Sequence, residues 1–331
     1  MRIDKIAILG DGGWGTTLSI LLSKKGFRVS LWSASEEYAY FLDKKRNNAK
    51  FLPGVRIPKN IKISSDISKI ILAAEVLVLA IPSQYLRGVL SKIKREFLHN
   101  KLIVSVVKGI ENKTLMRMSE VTRDALGNIR VSVLSGPTIA REVANLIPSA
   151  AVVASSDPLT ASLLQGIFMT DRFRIYTNDD IAGVELGGSI KNVIAIACGI
   201  CDGLKFGANT KAALLARGLT EMCRLGIAMG AKVHTFYGLS GLGDLVTTCS
   251  SVYSRNRGLG EKIGRGKKLK DIITHMDMVA EGVPTTKSVY ELSKKYKVDM
   301  PITKEVYSVL YKNKNPLKAV DDLMTRRGKN E

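Results

Sequence analysis

The sequence predicts an α/β protein: a doubly wound, mostly parallel sheet followed by an all-helical C-terminal domain. Three observations predict it. Short, unbroken apolar runs alternate with amphipathic stretches through the first half, a glycine-rich loop closes the first run, and beyond about residue 180 strand patterns give way to long helical ones. Strands that are apolar throughout, rather than at every second residue, belong in a sheet covered on both faces. Such a sheet is parallel, with crossover helices.

The strand-like runs are Ile6–Leu9, Val29–Trp32, Ile61–Ser64, Val76–Ile81, Leu102–Val107 and Val131–Leu134, with Ala150–Ala154 and Phe173–Thr177 extending the sheet. Amphipathic stretches such as Thr16–Lys25 and Gln84–Phe97 supply the crossovers. Residues 1–180 are therefore expected to form a nucleotide-binding domain and 181–331 a helical domain, with Gly-rich breaks at Gly238–Gly243 and Gly258–Gly266.

Composition narrows the class. Of 331 residues, 45% are hydrophobic and 24% charged, which fits an ordinary globular chain. The N-terminus, MRIDKIAILG, enters a strand pattern without the apolar core and cleavage site of a signal peptide. The best membrane candidate, Ile70–Ile81, is short and carries Glu75, so no membrane insertion is expected. The net charge is +20, but groups such as Lys44-Lys45-Arg46 and Arg326-Arg327 are scattered and lack interleaved aromatics; they read as a solvated surface rather than a nucleic-acid face. Cys198 and Cys201 form a CxxC without a second pair or a nearby histidine. They read as two small core residues one turn apart, which implies a reducing cytoplasm and no metal site.

Residues 6–15 read IAILGDGGWG, so Gly10-x-Gly12-x-x-Gly15 follows a strand and opens a helix. In that setting each glycine has a task. Gly10 permits the sharp turn, Gly12 lets a pyrophosphate approach the backbone, and Gly15 lets helix and strand pack closely. The helix N-terminus then faces the phosphates. This is a Rossmann-like dinucleotide site. The second strand ends Leu31-Trp32-Ser33-Ala34-Ser35, with no carboxylate until Glu36 and no arginine. The missing acid leans the choice to NADP and keeps NAD open.

Six stretches in order are GDGGWGTTLS, VVKGIE (106–111), SGPTIAREV (135–143), ELGGSIKNVIAIACGICDGLKFGANTKAALLARGLTEM (185–222), GLSGLGDLVTTCSSVYSRNRGLG (238–260) and VAEGVPT (279–285). Together they resemble the soluble, NAD(P)-dependent glycerol-3-phosphate dehydrogenases of bacteria, and the resemblance covers nearly the whole chain. It implies interconversion of dihydroxyacetone phosphate and sn-glycerol 3-phosphate for phospholipid synthesis. By the same resemblance Lys191 matches the catalytic lysine, and Lys108 a second lysine near substrate and cofactor. Gly136, Thr138, Asn192, Asp244, Ser254, Arg255 and Asn256 match substrate positions; Gly10, Gly12, Gly13, Trp14, Gly15, Ala34, Lys108, Ala140, Arg255, Val279 and Glu281 match cofactor positions. A homodimer is expected. Three residues depart from the pattern: Ala34 stands where relatives often carry a basic residue, Ile139 replaces a frequent Phe, and Asp11 is an acid inside the glycine loop, expected to point away from the pyrophosphate.

The chemistry suits these residues. Ketone reduction needs a proton donor, and a lysine serves if burial or a nearby cation lowers its pKa. Lys191 borders the apolar run Val193–Ile200 and would share its site with Lys108. Ser254-Arg255-Asn256 offers a hydroxyl, a guanidinium and an amide to a phosphate. Asp244 reads either as an acceptor that orients Lys191 or a substrate hydroxyl, or as an ordinary helix N-cap. Two other readings stay in view: a β-hydroxyacid or ketopantoate-type reductase, which has no use for that phosphate cluster, and a redox-reading nucleic-acid binder.

Overall fold

The computed structural model describes residues 3–328 and 330. The first half runs β1 (Lys5–Leu9), α1 (Gly13–Lys24), β2 (Arg28–Trp32), α2 (Glu36–Lys45), β3 (Lys62–Ser64), α3 (Ile67–Leu72), β4 (Val76–Leu79), α4 (Leu86–Leu90), β5 (Leu102–Ser105), α5 (Met118–Leu126), β6 (Val131–Ser135), α6 (Ala140–Ala144), β7 (Ser149–Ala154), α7 (Pro158–Phe168) and β8 (Phe173–Asn178). The second half holds α8 (Ile181–Gly203), α9 (Ala208–Ala228), α10 (Val233–Phe236), α11 (Asp244–Ser250), α12 (Arg255–Gly264), α13 (Leu269–Thr274), α14 (Gly282–Lys295), α15 (Pro301–Tyr311) and α16 (Pro316–Met324).

The eight strands form one sheet in the order β3-β2-β1-β4-β5-β6-β7-β8, parallel throughout except where β7 runs against β6. The order reverses on either side of β1, so the loops after β1 and β4 diverge and leave a crevice at the carboxyl edge. Every residue of β4 and β6 is buried, which is why their sequences are apolar without alternation. The expected strands Val76–Ile81 and Leu102–Val107 end two residues early, because the chain leaves the sheet there to build the crevice.

Three expectations change. Gln84–Phe97 is not one helix: α4 lies between single turns at Ser83–Tyr85 and Arg95–Leu98, since Gly88 and the β-branched Val89 and Ile93 weaken a longer one. Gly258–Gly266 is not a break, because α12 runs through Gly258, Gly260 and Gly264. A Cβ at Gly260 would lie 2.2 Å from the Ile196 carbonyl oxygen of α8, so these glycines bring two helix backbones together. Finally, α8 is long and apolar enough to cross a bilayer by length and composition, although Glu185 and Lys191 hide this in the sequence. It is instead wholly enclosed as the axis of the helical domain, buried from Gly183 through Cys201.

The start of α8 is fixed by polar contacts. Asp180 caps it by accepting from Gly183 N (2.8 Å), and also accepts from Lys232 N and the Thr235 hydroxyl. Glu185 reaches back to the first half, accepting from Ser119 N (2.7 Å), the Ser119 hydroxyl (2.6 Å) and Arg117 (2.6 Å). A buried charge held by one cation and two further donors is satisfied, so it pins α8 beneath the sheet edge. All four cysteines are buried and free, with Cys198 and Cys201 inside α8.

Candidate active site

Lys191 lies in the middle of α8, ten residues beyond its start, and is 5% exposed. A buried ammonium needs partners. Its Nζ donates to Asp244 Oδ1 (2.9 Å) and to Thr248 Oγ1 (2.5 Å), both on α11. Two of three ammonium protons are thereby used, leaving one for a ligand. Lys108, in the loop after β5, donates to the other oxygen of the same carboxylate, Asp244 Oδ2 (2.7 Å). It also donates to the Gly136 carbonyl (2.9 Å) and the Thr138 hydroxyl (3.3 Å), in the loop after β6.

Asp244 is therefore no N-cap. Gly243 holds that position without a side-chain hydrogen bond, after a π-helical turn over Leu239–Gly243, and the Asp244 carboxylate bridges two lysines from the two halves of the chain. Burial pushes the Lys191 pKa down to about 8; Asp244 pulls it upward and Lys108 pushes it further down. A lysine in this range gives and takes protons near neutrality.

Next to this centre, α12 presents its N-terminus. The Ser254 hydroxyl caps it by accepting from Arg257 N (3.2 Å), and the exposed Arg255 donates to the Val279 carbonyl (2.9 Å). Asn192 and Asn256 pair with each other: Asn256 Nδ2 donates to Asn192 Oδ1 (2.8 Å), while its Oδ1 accepts from Gly282 N (2.9 Å), and the second Nδ2 proton of Asn256 is left over from these contacts. The pair ties α8, α12 and α14, fixing Arg255 relative to Lys191. Arg255 and this helix N-terminus together have the chemistry that an anion would need.

The glycine loop distinguishes protein demands from ligand demands. Gly10 sits at φ +122°, and its Cβ would lie 2.5 Å from the Ala80 carbonyl oxygen. At Gly15 a Cβ would lie 2.0 Å from the Gly10 oxygen. A Cβ at Gly12, by contrast, meets nothing within 4 Å, and no side chain caps α1 there. Packing forbids a side chain at Gly10 and Gly15, whereas Gly12 keeps open space before an uncapped helix N-terminus. That is the cradle a pyrophosphate needs, so these residues fit a dinucleotide.

The remaining cofactor candidates line the same edge. Gly13 and Ala140 face one another, Trp14 rests edge-on against Phe173 (6.2 Å), and Glu281 accepts from Ser83 N (2.8 Å) and the Ser83 hydroxyl (2.5 Å) after β4. Ala34 is exposed beyond β2, three strand spacings from the Lys108 loop or roughly 14 Å, a separation that one extended dinucleotide spans. Thr248 and Ser83 escaped the sequence reasoning. The first could have been found from the Asp244-x-x-x-Thr248 spacing, which puts both on one helix face.

Comparison with known proteins completes the picture. Family models described as the N-terminus and C-terminus of NAD-dependent glycerol-3-phosphate dehydrogenase match residues 5–161 and 180–321. The chain belongs to the NAD-dependent glycerol-3-phosphate dehydrogenase family. A glycerol-3-phosphate dehydrogenase [NAD(P)+] of Chlorobium phaeobacteroides (strain BS1) is 49% identical over 330 residues, 99% of each chain. That of Prosthecochloris aestuarii is 50% identical over 329 residues, 98% of this chain and 99% of its own. The crystal structure of glycerol-3-phosphate dehydrogenase from Coxiella burnetii superposes with a TM-score of 0.94 at 37% identity, covering 98% of this chain and 99% of its own. A ketopantoate reductase from Ralstonia eutropha shares only the fold, at TM-score 0.60 and 14% identity. Among glycerol-3-phosphate dehydrogenases, then, this chain carries the two-lysine, one-carboxylate centre described above.

Because Asp244 raises the Lys191 pKa, Asp244→Asn should lower it further below about 8. The pH dependence of Lys191 labelling by an amine-reactive reagent, read by mass spectrometry, checks this. An unmoved or higher midpoint contradicts the assignment.

Proposed function

We propose that the chain reduces dihydroxyacetone phosphate to sn-glycerol 3-phosphate, with Lys191 as the proton donor, in a cleft between a nucleotide-binding domain (1–180) and a helical domain (181–331). The observation that carries this reading is the buried Lys191 ammonium, with one proton unspent, beside an anion site and below a dinucleotide cradle. When bound, the reduced nicotinamide supplies the hydride. Lys191 then delivers its free proton to the developing alkoxide, and Asp244 and Thr248 hold the ammonium in line while it does so. Lys108, bridged to the same carboxylate, adds positive charge where the oxygen becomes negative. Arg255 and the Ser254-capped end of α12 hold the substrate's phosphate, so that binding energy from a group that does not react orients the ketone.

A ketopantoate-type substrate lacks that phosphate, so dependence of turnover on the phosphate separates the two readings. We also place the protein in the cytoplasm, supported by four unpaired cysteines, and as a homodimer. Support for the dimer is an apolar cleft of about 660 Å³ lined by Leu214, Val306, Val309, Val320 and Leu323, beside the exposed Ala212, Ala213 and Ala216 of α9. Sedimentation velocity should give twice the 36.1 kDa chain mass, and cell fractionation should recover it with the cytosol; a 36.1 kDa species or a membrane-bound pool contradicts these assignments.

Loss of the reduced-nicotinamide absorbance with dihydroxyacetone phosphate tests the reaction. Lys191→Ala should lose roughly 10²–10⁴-fold in kcat, and unphosphorylated dihydroxyacetone should be a poor substrate. The donor must be protonated, so the reduction rate should hold below about pH 8 and decline above it, and glycerol 3-phosphate oxidation should show the opposite trend. No turnover, or equal turnover of the unphosphorylated ketone, would sink the proposal.

A further inference from the structure

The choice between NADH and NADPH is made at the carboxyl end of β2. In doubly wound sheets the adenosine ribose lies there, and enzymes that use NAD commonly place an acid at that strand end to hold the ribose diol. Here β2 ends without one. Ser33 is buried, Ala34 is exposed, and Glu36 and Glu37 lie beyond, exposed in the first turn of α2.

The glycine loop supplies a carboxylate instead. Strands β1 and β2 pair in register, Leu9 opposite Trp32, and Gly10 N donates to the Trp32 carbonyl (3.1 Å). The next residues along, Asp11 and Ser33, are therefore neighbours, and the Ser33 hydroxyl donates to Asp11 Oδ2 (2.5 Å). The backbone of Asp11 is pinned as well. Its carbonyl accepts from Asn48 Nδ2 (2.7 Å) and the Thr16 hydroxyl (3.1 Å), and the fully buried Asn48 is itself held by the Tyr38 hydroxyl (2.7 Å) and Phe51 N (3.1 Å). This network draws on α1, α2 and the segment that follows α2. Asp11 is only half-buried, and a carboxylate with about four acceptor positions keeps capacity after one bond.

The Arg46 guanidinium is not free for a 2′-phosphate. Arg46 is committed to Asp43 (2.5 Å) and to the carbonyls of Ile61 (2.7 Å) and Pro58 (3.3 Å). Lys50 is exposed, with its ammonium 5.2 Å from the Phe51 ring centroid, and its field reaches Asp11.

We propose that Asp11 is the residue that sets cofactor specificity: held by Ser33 past the end of β2, its carboxylate accepts from the free ribose hydroxyls of NADH and repels the 2′-phosphate of NADPH. An acid inside the glycine loop thereby takes the place of the acid missing from β2. The inference rests on the dehydrogenase function proposed above. It also turns the cofactor choice toward NADH, where the end of β2 alone leans to NADP. Specificity of this kind comes as much from repelling the wrong ligand as from attracting the right one.

Equilibrium binding of NADH and NADPH, followed by calorimetry without substrate, tests it. Wild-type protein should bind NADH more tightly by about tenfold or more, the scale of one unfavourable charge contact. Asp11→Asn, which keeps the shape and the Ser33 contact, should narrow that ratio chiefly by tightening NADPH. Ala34→Arg, at an exposed position that leaves the Asp11 network intact, should tighten NADPH independently. A wild type that binds NADPH as well as NADH, or a ratio unchanged in Asp11→Asn with its thermal melt intact, overturns the inference. Turnover of dihydroxyacetone phosphate, measured alongside, separates the two levels. Persistent turnover with an indifferent cofactor ratio refutes the role of Asp11 alone, and absence of both binding and turnover refutes the dehydrogenase reading with it.

Discussion

One carboxylate organises this molecule. Asp244 lies between two ammonium groups, Lys191 from the helical half and Lys108 from the sheet half, each within 3 Å of a different oxygen. Three charges, two of them nearly excluded from water, are tolerated only because the one carboxylate pairs with both ammonium groups. Lys191 still bears a net penalty. Its pKa near 8, against an ordinary 10.5, means that carrying the ammonium in the folded chain at neutral pH costs on the order of 3 kcal/mol. The penalty falls on the residue proposed as the proton donor, and an ammonium destabilised in this way releases its proton more readily.

Much of the fold serves to hold that triad. Burial of α8 on all sides desolvates Lys191, and α8 is placed against the sheet edge by Glu185 on Arg117 and Ser119 and by Asp180 at its start. The close approach of α12 across glycines, locked by the Asn192–Asn256 pair, brings Arg255 to the same edge. Glu281 on Ser83 closes the remaining side, tying the start of α14 to the loop after β4. The contacts of Glu185, Glu281 and Lys108 join one half of the chain to the other, so the site exists only when both halves are folded and docked.

That distribution explains what was legible in the sequence. Strands buried on both faces, such as β4 and β6, write themselves as apolar runs, and the half-exposed edge strands β3 and β8 were visible beside them, as was the glycine loop, whose spacing is local. Lys191 stood out because a charge beside an unbroken apolar run is incongruous. The triad itself was not readable from local pattern: Asp244 fitted a helix cap equally well, and only the arrangement of α11 against α8 decides between them. Ser83 and the Asp11–Ser33 contact were missed for the same reason, being pairings between distant segments, whereas the spacing of Thr248 from Asp244 was there to be read. Glycines misled in α12, where they signal close helix packing rather than a break, because spacing alone does not show what lies opposite.

Removing Lys108 probes the shared carboxylate most directly. In Lys108→Met the Asp244 carboxylate keeps Lys191 as its one ammonium partner and a neighbouring positive charge is gone, so both effects raise the Lys191 pKa. The pH profile of single-turnover hydride transfer should therefore keep its alkaline break and move it upward from about 8. A break that stays in place or moves downward would contradict the coupling of the two lysines through Asp244.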